Sequence, residues 1–404
     1  MEAIHYEPDP QSRTLQQLRT ALEPFMRIDE VRVLTNKAQP SIHFTGELRG
    51  NVEANFAEII RRFEAVGYVP LLTEEEDGHM VQALPSVFDK RTGKPWVNAL
   101  LFLLTLAAVL VTAALNEGVD PFANPADLWR GWPFAGTLLA ILTVHELSHY
   151  FVARRYGSPV SLPYFIPLPL TILGTMGAVI VQRAPMRSRK ALFDIGLAGP
   201  LGGLVVGIPL LLYGLSQSTV ASLPAADPFL LEGNSLLYLL FKYLLTGRWL
   251  PSGGWDVVLH PTAFAAWAGL MVTSLNLLPV GQLDGGHVAY ALWGRRAWKL
   301  ARIMVIIMLI WGSVLLIAQE LPVGMVWLSR FLGLPQEYLG QGQFNTGGWT
   351  WLLWGALVSL MGARHPAPLN DVTPLDPKRR RVGWATVVLF LLIVVPIPMT
   401  LVMP

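Results

Sequence analysis

The pattern H-E-x-x-H at residues 145–149 constrains this chain more than any other feature, because it lies inside an apolar run at 134–152. Successive residues of a helix turn by about 100°, so His145 and His149 would lie about 40° apart on one face. Two imidazoles at this spacing can hold one Zn²⁺, with Glu146 as a general base beside the metal. A chance match is the alternative, but ionisable groups at bilayer depth each cost a few kcal/mol unless they face a polar site. We therefore predict a metal site in a membrane helix.

The composition indicates a polytopic membrane protein. Of 404 residues, 52% are hydrophobic and only 14% are charged, and the mean hydropathy is +0.44. Soluble globular domains carry about 25% charged residues. The net charge of +2 and the lack of a basic stripe argue against a nucleic-acid partner, and a chain with no Cys has no thiolate metal ligands.

Residues 1–90 are polar and predict a small soluble α+β domain. Apolar residues recur at helical spacing in some segments and at every second position in others, which predicts helices and strands in the order α-β-β-α-β-β. The predicted helices cover 11–25 and 51–66, and the predicted strands cover 28–35, 41–49, 68–73 and 79–84, with turns at 36–40 and 74–78. The domain could present substrates or regulate activity, or it could serve stability and assembly, and no residue cluster decides between these.

The remaining apolar segments predict about six or seven membrane spans. They cover 97–116, 134–152, 191–215, 261–279, 301–321, 349–360 and 383–403. The segment 161–181 is apolar but is interrupted by proline and glycine, and it ends in a strand-like stretch at 178–181. Such a segment predicts a re-entrant hairpin folded against the site, with a long interfacial loop as the alternative. The segment 228–250 predicts an interfacial or re-entrant element.

Basic clusters set the expected orientation. They fall at 90–94, 154–155, 183–190, 295–302 and 378–381, all on one side of the membrane if the predicted spans alternate. By the positive-inside rule this side is the cytoplasm, so the N-terminal domain would be cytoplasmic. The sequence shows no signal peptide pattern, and we expect a multi-pass protein of a bacterial-type cytoplasmic membrane.

A catalytic zinc needs a third protein ligand, and Asp284 is the best candidate. Asp284 follows the fourth predicted span on a small-residue turn, at the depth of the motif. A structural turn aspartate is the alternative. Asn276, about two turns earlier, could donate a hydrogen bond to the oxyanion, or it could join two helices.

Other polar residues near the motif receive weaker predictions. Asp194 could cap or pair at the end of its span. His287 is expected to support the site rather than to bind metal, and His260 and His365 are expected to lie far from it. Small residues in the third span are expected to allow close helix packing. They are Gly196, Gly199, Gly202 and Gly203.

These residues together predict hydrolysis of an amide bond inside the membrane. Zinc lowers the pKa of its bound water to about 7, and Glu146 would take the proton and pass it to the leaving amine. A substrate helix must unwind locally to expose its peptide bond. The extended segment 177–181 offers a strand edge that could hold the unwound peptide by its main chain.

The chain resembles the site-2 protease family of intramembrane zinc metalloproteases, whose motifs it matches over about 140–290. The matching stretches are His145-Glu146-x-x-His149, Gly174-x-x-Gly177-Ala178, the run 191–200, Asn276-x-x-Pro279 and Leu283-Asp284-Gly285. The run 191–200 looks most like the chloroplast and cyanobacterial branch. Residues 1–90 lie outside the match, and PDZ or cystathionine-β-synthase modules are not evident in the sequence.

The resemblance implies a membrane metalloendopeptidase. It implies Zn²⁺ held by His145, His149 and Asp284, with Glu146 as the base and Asn276 near the scissile carbonyl. It also implies transmembrane protein substrates, such as membrane-tethered transcription regulators or anti-sigma factors, cleaved within the lipid bilayer. The expected organisation is a cytoplasmic domain at 1–90 and a membrane-embedded protease domain at 91–404, with a catalytic core at about 134–290.

Two other functions remain as alternatives. A non-catalytic zinc-binding membrane scaffold or sensor would need both His residues but not Glu146. A metal transporter would need acids or His on further spans, where the third span offers only Asp194.

Overall fold

Residues 10–86 fold around one hydrophobic core in the predicted order α-β-β-α-β-β. Two helices cover one face of an antiparallel sheet of order β1-β2-β4-β3. The elements are α1 (Pro10–Leu22), β1 (Met26–Thr35), β2 (Pro40–Leu48), α2 (Val52–Ala65), β3 (Tyr68–Glu75) and β4 (Gly78–Pro85). In α2 the buried residues Phe56, Ile59, Ile60 and Phe63 recur at helical spacing, which turns one face of the helix to the sheet. All six predicted elements are confirmed.

The protein is described here by a computed structural model of residues 10–35, 40–75, 78–86, 93–169, 171–224, 227–332, 343–345 and 347–403. Residues 36–39 of the predicted turn at 36–40, residues 76–77 of the acidic turn and the basic residues at 90 and 91 lie outside these ranges.

A distant segment extends the N-terminal sheet. The backbone N–H of Leu72 in β3 donates to Leu369 O at 2.7 Å, and the N–H of Asp371 donates to Leu72 O at 3.0 Å. The same segment also forms a hydrogen bond with the residues that precede the third predicted span, because Leu369 N–H donates to Met186 O at 2.8 Å. Residues 369–371 therefore join the N-terminal sheet to the helical region.

The helical region contains α3 to α12. Their bounds are α3 (Pro95–Asn116), α4 (Trp132–Arg155), α5 (Arg189–Ser216), α6 (Leu236–Thr246), α7 (Pro261–Asn276), α8 (Asp284–Trp293), α9 (Ala297–Ala318), α10 (Pro322–Leu332), α11 (Gly348–Met361) and α12 (Pro377–Ile393). Among the described residues, three helical stretches are long and apolar enough to cross a bilayer. They are Pro95–Asn116, Arg189–Ser216 and Asp284–Ala318, the last of which joins α8 and α9.

Short strands connect these helices. They are β5 (Tyr164–Pro167), β6 (Thr175–Val179), β7 (Thr219–Ser222), β8 (Phe229–Glu232), β9 (Trp255–Val258), β10 (Gln343–Asn345) and β11 (Met399–Met403). The β5–β6 hairpin packs against α3 and α4. The segment 228–250 consists of β8 followed by α6.

The predicted last span at 383–403 is wrong in its second half. The helix α12 ends at Ile393, and residues of β11 pair antiparallel with β8, with Met399 opposite Glu232. Pro396 and Pro398 lie between the two elements and cannot donate helical hydrogen bonds, so the chain leaves the helix there. Its apolar residues are buried in a sheet instead.

Four helices surround the centre of the helical region: α5 packs against α4, α7 and α8. We call the end where α4 ends and α5 and α12 begin the basic end, because it carries Arg154, Arg155, Lys190 and Lys378. We call the opposite end the distal end. The helices α4 and α7 begin there, and the strands β7, β8, β9 and β11 lie there.

Candidate metal centre

Three side chains from two helices converge near the basic end. His145 and His149 project from α4, and their Nε2 atoms lie 3.2 Å apart. The carboxylate of Asp284, the first residue of α8, reaches both: Oδ2 lies 3.2 Å from His145 Nε2 and Oδ1 lies 3.2 Å from His149 Nε2. Both His residues are buried. The structure thus brings Asp284 to two His residues that lie at least 135 positions before it in the sequence.

The donor geometry suits a metal ion better than a hydrogen-bonded cluster. A tetrahedral zinc with bonds of about 2.0–2.1 Å has neighbouring donors about 3.3 Å apart, close to the spacing observed here. Asp284 Oδ2 is buried and accepts no hydrogen bond from any described residue. The donors therefore point to a common centre rather than at one another, and the residues fit the zinc that the motif predicts.

A backbone contact sets the tautomer of His149. Its Nδ1 lies 2.7 Å from the carbonyl oxygen of Ile195 in α5, so Nδ1 carries the proton and donates it. Nε2 is then unprotonated and offers its lone pair toward Asp284 and His145. This arrangement is common among metal-binding histidines, because the second hydrogen bond also fixes the ring orientation.

Glycines in α5 let it approach the two His residues. A Cβ atom at Gly199 would lie 2.0 Å from His149 Nε2, and one at Gly203 would lie 3.3 Å from His145 Nδ1. Gly202 faces Ser148 in the same way, and Gly196 faces His287. The prediction that these glycines serve close packing is confirmed, and the packing they serve is against the metal centre itself.

Glu146 is buried beside the centre. Its carboxylate lies close to the backbone of Ile180, the residue just after β6. Glu146 therefore lies between the two His residues in sequence and against the end of the β5–β6 hairpin in space. A base at this position adjoins both the metal donors and an exposed strand.

Asn276 is the last residue of α7, a helix that packs against α4 and α5. Within the described part of the chain, no hydrogen bond joins Asn276 to His145, His149 or Asp284. Its predicted role at the substrate carbonyl therefore stays a prediction.

The prediction that His365 lies far from the cluster is wrong. His287, one turn after Asp284 on α8, has its Nδ1 2.5 Å from His365 Nε2. His365 Nδ1 in turn lies 2.5 Å from Pro366 O. The contact depends on the path of residues 362–376 back across the basic end, which no local sequence pattern shows. His260, by contrast, caps α7 at the distal end, where its Nδ1 accepts a hydrogen bond from Thr262 N–H.

Asp194 pairs at the basic end rather than at the metal donors. Arg379 of α12 donates to it through Nε and Nη2, both at 2.7 Å, and the Tyr156 hydroxyl donates at 2.5 Å. Burial, together with the bond to Asp194, raises the pKa of Tyr156 to about 12. The basic run 378–381 therefore contributes a specific ion pair as well as its expected role in orientation.

A further network was not predicted from the sequence. Asp371, the last residue of the segment 369–371, accepts a hydrogen bond from Tyr290 of α8 at 2.9 Å and one from Arg189 of α5 at 2.8 Å. It connects the segment that docks the N-terminal sheet to the helix that carries Asp284. An acidic residue in an irregular stretch gives no periodic signal that could have revealed it.

Comparison with known proteins agrees with this geometry. Residues 133–318 match the model of peptidase family M50. The chain is 31% identical over 265 residues to "Probable zinc metalloprotease EGY2, chloroplastic" of Arabidopsis thaliana, covering 63% of this chain and 47% of that protein. It is 27% identical over 397 residues to "Probable zinc metalloprotease EGY1, chloroplastic" of the same organism, covering 88% of this chain and 66% of that protein.

The chain is also 29% identical over 331 residues to "Probable zinc metalloprotease EGY1, chloroplastic" of Oryza sativa subsp. japonica, covering 69% of this chain and 56% of that protein. The chain thus spans about half to two thirds of the length of these curated relatives. No solved structure matches it significantly. The H-E-x-x-H helix and the converging Asp284 both lie within the part of the chain that matches peptidase family M50, so this part is similar to the site-2 protease family.

Proposed function

We propose that this chain is a zinc metalloprotease that hydrolyses peptide bonds within or next to transmembrane segments of membrane-protein substrates. The observation that carries the proposal is the joint placement of three metal donors and a buried carboxylate. The Nε2 atoms of His145 and His149 lie 3.2 Å apart, each lies 3.2 Å from a different oxygen of the Asp284 carboxylate, and Glu146 lies beside them. The similar proteins of Arabidopsis thaliana are named probable zinc metalloproteases, which supports zinc as the metal and peptide hydrolysis as the reaction.

The roles of the residues follow from their chemistry. Zinc held by the three donors supplies a water of lowered pKa and a Lewis acid for the carbonyl oxygen. Glu146 accepts a proton from the attacking water as the new C–O bond forms at the carbonyl carbon, and it then delivers that proton to the amine nitrogen, so that the C–N bond can break. Asn276 donates to the substrate carbonyl oxygen as its negative charge develops.

The β6 strand is the proposed binding edge for the substrate. The β5–β6 sheet has two strands among the described residues, so one edge of β6 has no strand partner there. Met176 and Val179 are 66% and 47% exposed. An unwound substrate segment could add to this edge through main-chain hydrogen bonds. Since Glu146 contacts Ile180 at the end of β6, the strand would deliver the peptide to the base.

We propose that α4, α7, α11 and α12 cross the bilayer together with the three apolar stretches, which gives about seven passes of alternating direction. The ionisable residues of the motif make α4 less apolar than the three apolar stretches. The basic end would face the cytoplasm, with residues 1–90 on that side, because Lys and Arg are retained there. The β5–β6 hairpin would then be re-entrant.

The test uses the full-length protein in lipid nanodiscs with a fluorescent single-span peptide whose apolar helix contains a Gly-Pro interruption. We expect cleavage that is lost with 1,10-phenanthroline and restored by added zinc. Glu146→Gln should retain one zinc per chain while the rate falls by about 10²–10⁴, the contribution of a general base. Glu320→Gln, which changes an exposed acid just after the end of α9, is the matched control.

Two outcomes contradict the proposal. Cleavage at an unchanged rate by Glu146→Gln removes the assigned base. Stoichiometric zinc without cleavage of any single-span peptide favours the scaffold or sensor instead.

A further inference from the structure

A cavity lies at the distal end, away from the metal donors. Its volume is about 530 Å³, within the range of small-ligand sites. It is bounded by the end of α3, the start of α4 and the strands β7, β8 and β9, and its walls include Phe134, Ile172 and Phe264. Phe134 precedes His145 by 11 residues on α4, which is about 16 Å along the helix. The cavity is thus separate from the metal centre.

Two buried carboxylates line this apolar cavity. Glu232 is 8% exposed and Asp256 is 3% exposed. Lys242, which is fully buried, bridges them: its Nζ lies 2.6 Å from Glu232 Oε1 and 3.0 Å from Asp256 Oδ1. We call Glu232, Lys242 and Asp256 the ion trio. Two acids and one base leave it with a formal charge of −1.

The unbalanced charge lies on the Asp256 side of the ion trio. The Tyr238 hydroxyl donates to Glu232 Oε1 at 2.9 Å, so Glu232 has two donors. Asp256 Oδ1 receives Lys242 and the N–H of Val257, at 2.8 Å. Asp256 Oδ2 is buried and accepts no hydrogen bond from the described residues. An unpaired buried carboxylate oxygen costs free energy that a cationic donor would recover.

The hairpin connects this cavity to the catalytic base. Ile180 contacts Glu146 at one end of β6, and Ile172, in the turn before β6, lines the cavity at the other end. The five residues of β6 span about 16 Å at 3.3 Å each. A peptide paired along β6 with its scissile bond beside Ile180 would enter the cavity about five to eight residues away.

We propose that the distal cavity binds the juxtamembrane end of the substrate, and that the ion trio recognises a basic side chain there, five to eight residues from the scissile bond. This inference rests on the proposed function and names a chemical feature of its substrates. The apolar walls accept the stem of a Lys or Arg side chain, and Asp256 accepts its charged head. On the proposed orientation the distal end faces away from the cytoplasm, where Lys and Arg are less frequent next to membrane spans, so such a residue would mark a subset of spans as substrates.

The experiment measures binding, so that it does not depend on cleavage. Fluorescent single-span peptides carry Lys at one of the four positions, or norleucine in its place, and bind to the Glu146→Gln protein in nanodiscs. We expect the Lys peptide to bind about tenfold more tightly at one position, a modest value for a partly buried charge pair. Adding Asp256→Asn should abolish this preference and leave the affinity of the norleucine peptide unchanged.

A purely structural role of the ion trio would weaken both peptides equally or not at all. Preference for Lys that persists in folded Asp256→Asn, or no preference at any position, overturns the proposal. If Asp256→Asn does not fold, Ser222→Trp decides, because it fills the cavity from an exposed position on β7 outside the ion trio. That variant should weaken both peptides, and unchanged binding overturns the proposal. Cleavage without any charge preference contradicts only this inference, whereas charge-dependent binding without cleavage by the parent protein contradicts only the proposed function.

Discussion

A single methyl group at Gly199 should disable the metal centre. An ideal Cβ there would lie 2.0 Å from His149 Nε2, 2.5 Å from Cδ2 and 2.6 Å from Cε1. Non-bonded carbon contacts are favourable at about 3.5–4.0 Å. The imidazole ring of Gly199→Ala must therefore move by about 1.5 Å, or α5 must retreat by a similar distance.

Either movement disturbs zinc binding, because the ring carries a metal donor and α5 carries the Ile195 carbonyl that fixes this ring. Metal–ligand distances are held to within about 0.2 Å, several times less than the required shift. His149 is buried, and its Nδ1 is fixed by Ile195 O at 2.7 Å, so the ring cannot swing aside without losing that bond. Loss of a supporting contact of a ligand alone typically lowers metal affinity 10–100-fold, and displacement of the ligand should cost at least about 100-fold.

The assay is competition for zinc against a chromophoric chelator, with metal stoichiometry and peptide cleavage measured on the same preparation. Gly207→Ala is the matched control on the same helix, because its Cβ would meet Ile141 Cδ1 at an ordinary 3.5 Å. That variant should bind zinc normally and gain about 0.5–1 kcal/mol of helix stability. Zinc affinity of folded Gly199→Ala within threefold of the parent protein would refute the reasoning.

Two further predictions concern stability at the basic end. Burial lowers the pKa of His365 to about 3 from an ordinary 6.5, so the folded protein favours the neutral imidazole. The free energy of unfolding that this neutral form contributes is complete above pH 6.5 and is lost as the pH falls toward 3. The loss is up to about 1.4 kcal/mol per pH unit. Unfolding of His365→Gln between pH 7.5 and 5.5 should therefore be less pH-dependent than that of the parent protein, and parallel curves would contradict this. Arg379→Gln removes a two-bond ion pair with Asp194 whose side chains are about one quarter exposed, and it should lower the free energy of unfolding by about 1 kcal/mol. Arg380→Gln, an exposed neighbour, should change little in the same denaturation experiment, and equal effects of the two variants would be evidence against the pairing.

The N-terminal sheet and the motif helix were predictable because their signals are local. Residues such as Ile59, Ile60 and Phe63 reveal a buried helix face through their own spacing, whatever the rest of the chain does. The same is true of His145 and His149, whose common face follows from the turn of a helix. The apolar stretch at 383–403 misled prediction because apolar content does not separate a helix from a buried strand. Only the pairing of β11 with β8 shows which it is.

The sequence by itself determined the elements and the chemistry they could carry: a helix with two imidazoles and a carboxylate, a broken apolar segment, and an aspartate on a glycine-rich turn. Tertiary structure alone decided which distant groups meet. It brought Asp284 to His145 and His149, placed His365 on His287, and left Asp256 with an unpaired oxygen beside a cavity. The reason is physical: helix and strand periodicity arise from neighbouring residues, whereas donors far apart in the chain meet only after whole elements have packed, and no local pattern records that packing.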